Sequence, residues 1–252
     1  MSVLEINNLS KSYYGVKVND NVSFSIPEAS VSSVIGPNGA GKTTLFNLVT
    51  GYIKAESGSV RLNGLELVGR KPHEIVRLGI SRTFQLVRVF PRMSVIENIL
   101  RGYQDLAGDS LITAAFQTAS TRRHFAEKKE EAREMLNYVG LSQYENSMAN
   151  DLSYGQQKLI EIARSLATGP KVLMLDEPLS GLNVVMIDKM LKLIDDIKKS
   201  GKTVVIVEHN TDIVKSISNQ VTVLNFGKVI ASGSPDEVYS NPVVVDSYLG
   251  IK

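Results

Sequence analysis

The sequence predicts an α/β fold, with a mostly parallel sheet covered by helices on both faces. Two observations carry this. Short β-branched runs alternate with helical stretches over much of the chain, the pattern that strand–helix–strand units produce. One such run, Val31–Ile35, leads straight into a glycine-rich loop and from there into a helical stretch. The middle of the chain breaks the alternation and predicts a helical insertion.

Taken in order, Val3–Leu9 and Val22–Ile26 cluster apolar residues between turn formers and read as strands. Val31–Ile35 is a third. Lys42–Thr50 has helical composition and stops at Gly51. Ser59–Leu62 and Gly79–Thr83 read as further strands, with the helical stretch Pro72–Leu78 before the second. From Ser94 to about Gly140 helix formers dominate, and Phe125–Tyr138 carries a dense charged face that reads as solvated. Alternation then returns: helix Tyr154–Ala167, strand Lys171–Leu175, helix Val184–Lys199, strand Thr203–Val207 and helix Asn210–Ile217. A hairpin, Val221–Phe226 and Lys228–Ser232, turns at Gly227. There are no internal repeats and no low-complexity linker.

The 252 residues suit one large domain or one domain with an insertion. With 28 basic and 26 acidic residues the net charge is +2, which gives no push toward nucleic acid. The chain has no cysteine, which excludes disulfides, thiolate metal sites and thiol nucleophiles. Met1–Ser10 alternates polar and apolar residues rather than showing the charged head and apolar run of a signal peptide. Apolar runs such as Val172–Leu175 and Val204–Val207 fall far short of the roughly 20 residues that span a bilayer. Work at a membrane would therefore require a grip on an embedded partner.

The loop Gly36-Pro37-Asn38-Gly39-Ala40-Gly41-Lys42-Thr43-Thr44 fits G-x-x-x-x-G-K-[ST] between a strand and a helix. Its glycines let successive N–H groups converge on phosphate oxygens, and the following helix adds the positive end of its dipole. Lys42 would reach the β- and γ-phosphates, and the Thr43 hydroxyl is a hard ligand suited to Mg²⁺. A nucleoside triphosphate, Mg-ATP, is the expected ligand. Val172–Leu175 is followed by Asp176 and Glu177, two carboxylates at the end of a buried strand, where parallel sheets place ligands. Asp176 would hold Mg²⁺ through water, and Glu177 would polarise the attacking water. Phosphoryl transfer needs charge neutralisation and a positioned water. His209, after Thr203–Val207, and Gln85, after Gly79–Thr83, are candidates to sense the γ-phosphate, Gln85 through Mg²⁺ or the water.

Leu152-Ser153-Tyr154-Gly155-Gln156-Gln157 resembles the L-S-G-G-Q signature of the ATP-binding-cassette (ABC) superfamily. With the phosphate loop, Gln85, Asp176-Glu177 and His209 in order, the resemblance covers essentially the whole chain. No N-K-x-D segment favours a GTPase. The resemblance implies a P-loop NTPase fold with an N-terminal antiparallel β subdomain. Residues 1–85 and 151–252 would form the core and β subdomain, and residues 86–150 the helical subdomain. It also implies two cassettes packed head to tail, with ATP between one phosphate loop and the other's signature. Ser153, Gly155 and Gln156 would thus contact the partner's nucleotide. Tyr13 stands where the family stacks an aromatic on adenine, with Tyr14 as the fallback. Two departures stand out: Tyr154 replaces a signature glycine, and Ser180-Gly181-Leu182-Asn183 replaces the common Ser-Ala-Leu-Asp.

Arg82-Thr83-Phe84-Gln85, L-S-Y-G-Q-Q, Gly181-Leu182-Asn183, Val207-Glu208-His209 and the ending Val238…Tyr248-Leu249-Gly250 resemble the ATPases of branched-chain amino-acid importers. Urea and short-chain amide importers share that subgroup. The resemblance implies a peripheral protein at the cytoplasmic face of the cell membrane. Its partners would be a second cassette (a paralogue or another copy), membrane permeases and, indirectly, a solute-binding protein, with no nucleic acid. The alternative is a cassette of another system, such as lipopolysaccharide extraction or iron–sulfur assembly.

Overall fold

The chain opens on an antiparallel hairpin. β1 (Ser2–Tyr13) and β2 (Val16–Pro27) pair up to Tyr13↔Val16 and turn at Tyr14-Gly15. Both turn residues have positive φ, 51° and 82°, the two-residue geometry that matches strand twist. β4 (Ser57–Leu62) and β5 (Leu65–Glu66) extend this into a sheet of order β2-β1-β4-β5. β1 and β2 outrun the apolar clusters Val3–Leu9 and Val22–Ile26, because backbone pairing continues through polar, solvent-facing residues. β5 has no apolar signature at all. The computed structural model describes residues 1–103 and 119–249. Part of the helical stretch expected between Ser94 and Gly140, and the terminal Gly250, lie outside them.

The second sheet has the order β10-β9-β3-β8-β7-β6. It contains β3 (Val31–Ile35), β6 (Ile80–Arg82), β7 (Val172–Asp176), β8 (Thr203–Val207), β9 (Gln220–Asn225) and β10 (Lys228–Gly233). All neighbours are parallel except β10 on β9, in agreement with the expected class. The strand expected over Gly79–Thr83 shortens to β6, since Gly79 at φ 113° ends the preceding helix α2 (Pro72–Leu78) as its left-handed cap.

Period-2 alternation assigns the faces of this sheet. Leu173, Leu175, Val204 and Ile206 join one core with α3 (Val95–Leu100), α5 (Tyr154–Leu166) and α6 (Val184–Lys199). Val172, Met174, Val205 and Val207 join another with α1 (Lys42–Val49) and the antiparallel sheet, including Leu4, Ile6 and Phe46. Between α3 and α5 in sequence, α4 (Ala119–Tyr138) presents the expected charged face, with surface pairs such as Arg133–Glu130 at 2.9 Å and Arg133–Glu145 at 3.1 Å. Exposed pairs of this kind contribute about 0–1 kcal/mol each. α7 (Thr211–Ile217), α8 (Pro235–Tyr239) and α9 (Pro242–Val244) follow β8 and β10.

The register gathers what matters at one edge. Val207 lies opposite both Asp176 and Val34, and Arg82 lies opposite Met174. The segments leaving β3, β8, β7 and β6 therefore emerge side by side at the carboxyl end of the sheet, where open parallel sheets hold ligands.

Candidate active site

A cavity of about 240 Å³ opens there, lined by Asn38, Gly39, Ala40, Gly41, Lys42, Thr43 and Thr44 together with Val18, Gln85, Glu177 and His209. A second, of about 280 Å³, sits at the far end of α1 between Leu48 and Pro72 and is lined by no carboxylate, hydroxyl or imidazole. The first has the chemistry.

The phosphate loop is tightly buttressed. Gly36 (φ 148°) passes the Leu224 carbonyl of β9 so closely that a side chain would collide with it, and Gly41 (φ 99°) passes Val18 and Asn19 in the same way. The turn after β9 adds Gly227 N–H donating to the Ala40 carbonyl at 3.1 Å. Lys42 is buried, and its ammonium donates to the carbonyls of Gly36 at 2.7 Å and Pro37 at 2.9 Å. Burial pulls its pKa down, while the nearby Glu177 and Asp176 carboxylates pull it up. The helix starting at Lys42 has no side-chain cap, so its first N–H groups point at the cavity.

Glu177 is the centre of the opposite wall. It sits at φ 50°, a strained region for a residue with a side chain, of the kind that persists where surroundings over-determine it. Its N–H donates to the Val207 carbonyl at 3.0 Å and its own carbonyl accepts from Lys158 Nζ at 2.7 Å. Its carboxylate accepts from Gln85 Nε2 at 3.2 Å and lies 2.8 Å from His209 Nε2, which places the imidazole proton on that nitrogen. The structure thus brings Gln85, Glu177 and His209 together across the cavity from Lys42 and Thr43.

Asp176 takes a different place. Its carboxylate is 2 % exposed and paired with Arg82 Nη2 at 3.2 Å. Burial raises its pKa, and Arg82 opposes that shift. It lies behind the cavity rather than in its lining. Arg82 is itself buried, donates to Asn47 Oδ1 at 2.7 Å and stacks 4.7 Å from the Phe84 ring. Tyr13 stands at the end of β1, half-exposed under Lys11 at 5.4 Å, and is not part of the cavity lining. Tyr14 is fully exposed at the hairpin tip.

The signature residues also lie outside this cavity. Ser153 caps α5 in a reciprocal box with Gln156, whose Oε1 accepts from the Ser153 N–H at 2.9 Å. Gly155 is required by packing as well: a Cβ there would come within 2.8 Å of Met186 and 3.2 Å of Leu182 on the following segment. The two departures from the family pattern meet in space. Gly181, at φ 75°, is where the Tyr154 ring lies, 3.3 Å from the position a Cβ would take. Asn183 caps α6 by accepting the Met186 N–H at 2.9 Å, so the lost charge leaves a good cap.

Of three further buried charged residues, Lys158 and Glu161 went unflagged by the sequence motifs, and Glu208 was quoted only as part of Val207-Glu208-His209. Lys158 donates to the carbonyls of Glu177, Pro178 and Ser180 at 2.7, 3.2 and 2.9 Å. Glu208 accepts the Leu179 N–H at 2.9 Å. Glu161 accepts the Phe84 N–H at 3.1 Å. Lys158 and Glu161 are three apart on one side of α5, and that spacing was the available signal.

Comparisons with known proteins give the family. A family profile described as ABC transporter matches residues 19–180. One described as branched-chain amino acid ATP-binding cassette transporter matches residues 228–251. The chain is similar to the high-affinity branched-chain amino acid transport ATP-binding protein BraF of Pseudomonas aeruginosa, 39% identical over 249 residues and 98% of both chains. It is 37% identical over 249 residues to LivG of Escherichia coli, again covering 98% of both. The probable LivG of Archaeoglobus fulgidus is 38% identical over 252 residues, 99% of this chain and 96% of that one. Among solved structures, a nucleotide-free ATP-binding cassette from an ABC transporter superposes with a TM-score of 0.86 at 34% identity, covering 98% of this chain and 99% of that one. An ABC-transporter cassette in its ADP conformation gives 0.84 at 33% identity, with 99% of each covered. A phosphate loop facing an acid, an amide and an imidazole, on a chain this similar along its length, places the protein in the ABC transporter family as one of its ATP-hydrolysing subunits.

Proposed function

We propose that this chain energises the uptake of branched-chain amino acids through a membrane permease, by hydrolysing ATP between two cassettes. The observation that carries the hydrolytic half is the Glu177 carboxylate held by both Gln85 and His209 across from Lys42. The solute rests on the names of full-length relatives and on the carboxyl-terminal profile match.

In this reading the phosphate loop amides and Lys42 bind the β- and γ-phosphates. Lys42 is already oriented by two carbonyls, which compete weakly with phosphate oxygens for its protons. Glu177 accepts the proton of the attacking water, and its strained backbone fixes the carboxylate direction. His209 holds Glu177 and would sense the γ-phosphate beside it. Thr43, Gln85 and Asp176 offer hard oxygen donors of the kind Mg²⁺ takes and would hold it, Asp176 through water. Bound there, Mg²⁺ would neutralise charge on the β- and γ-oxygens. Tyr13 would meet adenine. Ser153, Gly155 and Gln156 would close on the nucleotide of a second cassette, another copy or a paralogue, using the capped N-terminus of α5. Residues 86–150 would form the subdomain that faces the permease. No helix among the described residues is long and apolar enough to cross a membrane, so the permease would supply the path.

The test is reconstitution. The tagged chain is isolated from membranes with whatever permease accompanies it, and ATP-driven uptake of labelled leucine, isoleucine and valine into vesicles is measured beside labelled urea. ATP-dependent uptake of the amino acids supports the proposal. Uptake of urea alone, or ATPase with uptake of none of them, contradicts it.

A further inference from the structure

Glu161 lies two turns along α5 from Ser153, inside the protein. It is 2 % exposed, and a carboxylate in such a place needs a reason, since an apolar side chain would pack there without a desolvation cost. Its partners supply one. Oε1 accepts the N–H of Phe84 at 3.1 Å, and the backbone of Arg88 also bonds to it. Arg164, on the next turn, donates to the Arg88 carbonyl and lies 5.3 Å from the Phe90 ring. Arg88 in turn stacks 3.9 Å from the Phe84 ring. The backbone on both sides of Gln85 is therefore fastened to one helix. Gln85 itself reaches out from that anchored segment to Glu177.

The same helix holds the other half of that contact. Lys158, one turn before Glu161, binds the carbonyls of Glu177, Pro178 and Ser180. A gap of only about 10 Å³ remains between Lys158, Glu161, Thr83, Phe84 and Asp176, room for at most a single water. The bonds are consequently formed in a nearly dry setting, where they hold their geometry firmly.

We propose that Glu161 is a positioning residue for hydrolysis: by fixing the Phe84 N–H it sets Gln85 within reach of the Glu177 carboxylate. It touches neither nucleotide nor water and acts through Gln85. The inference rests on the role given to Gln85 above.

A double-mutant cycle tests it, using the transporter isolated from membranes. ATPase kcat and KM are measured for Gln85→Ala, Glu161→Ala and the pair. Displacing a positioned group by about 1 Å can cost on the order of 100-fold in rate, so Glu161→Ala should lower kcat about 10- to 100-fold with KM for ATP unchanged. Adding it to Gln85→Ala should lower kcat no further. Should Glu161→Ala fail to assemble, Glu161→Gln keeps the shape and one acceptor. It should give an intermediate kcat and faster amide exchange at Phe84. Normal activity of Gln85→Ala would overturn the role of Gln85 itself. A slow Gln85→Ala together with an unaffected Glu161 variant, or with effects that multiply, would overturn the positioning role alone.

Discussion

Replacing Glu177 by Gln removes the charge from the centre of the site and leaves nearly everything else. The backbone at φ 50° keeps its bonds to Val207 and Lys158, neither of which involves the side chain, so the fold should be unaffected. The amide oxygen still accepts from His209 or Gln85, but it cannot take a proton from water. Loss of a general base typically slows the reaction about 10²–10⁴-fold, equivalent to roughly 3–5 kcal/mol of barrier. Nucleotide binding should move the other way. Glu177 is one of the two anions acting on Lys42, and removing it lowers the repulsion felt by a triphosphate. Steady-state phosphate release from the assembled transporter gives the rate, and a fluorescent ATP analogue gives the affinity. The expected result is a rate loss in that range, ATP affinity equal to or tighter than the parent, and accumulation of a closed two-cassette state. Hydrolysis at a normal rate would show that Glu177 is not the base. Equal loss of binding and turnover would show that it serves the nucleotide pocket instead.

Lys42→Ala should act on binding first. A hydrogen bond to a charged group contributes about 1.5–3 kcal/mol, so the ATP dissociation constant should rise roughly 10- to 150-fold, measured with the same fluorescent analogue. Arg82→Ala strands the Asp176 carboxylate, since the pair is 5 % and 2 % exposed. Breaking such a pair costs about 3–5 kcal/mol, which urea unfolding would register. Burial pushes the Glu161 carboxyl up to about 7 from an ordinary value of 4.5. The stabilisation linked to its protonated form is therefore complete below pH 4.5 and is lost as pH rises through about 7, on the order of 3 kcal/mol in all. Unfolding followed from pH 5 to pH 8 should show a decline in the parent that Glu161→Gln flattens.

Much of this site was legible in the sequence because motif chemistry is local. A phosphate loop needs its glycines and lysine in one stretch, and Gly36–Thr44 supplies them. The alternation around Val31–Ile35, Val172–Leu175 and Thr203–Val207 also marked these runs as strands of a mostly parallel sheet. What the sequence left open depends on distance through space. Arg82 and Asp176 pair only because β6 and β7 are neighbours. Lys158 and Glu161 read as ordinary polar residues on a helix until their carbonyl and amide partners are seen. The departures Tyr154 and Gly181 looked independent, yet the absence of a side chain at one makes room for the ring of the other. β5 escaped notice because a two-residue strand has no pattern to detect.

If ATP is hydrolysed between two cassettes, as proposed, this chain carries half of a site that a second cassette completes. This is tested most directly by a photo-cross-link from the signature. Tyr154 is half-exposed at the start of α5 and accepts replacement by p-benzoylphenylalanine in the assembled transporter carrying Glu177→Gln. Irradiation with and without Mg-ATP, followed by mapping of the adducts, reports what the signature faces. Head-to-tail closure should give an ATP-dependent adduct on the phosphate loop of another cassette subunit, whether a copy of this chain or a paralogue. Adducts confined to the same chain or to the permease, unchanged by ATP, would contradict it.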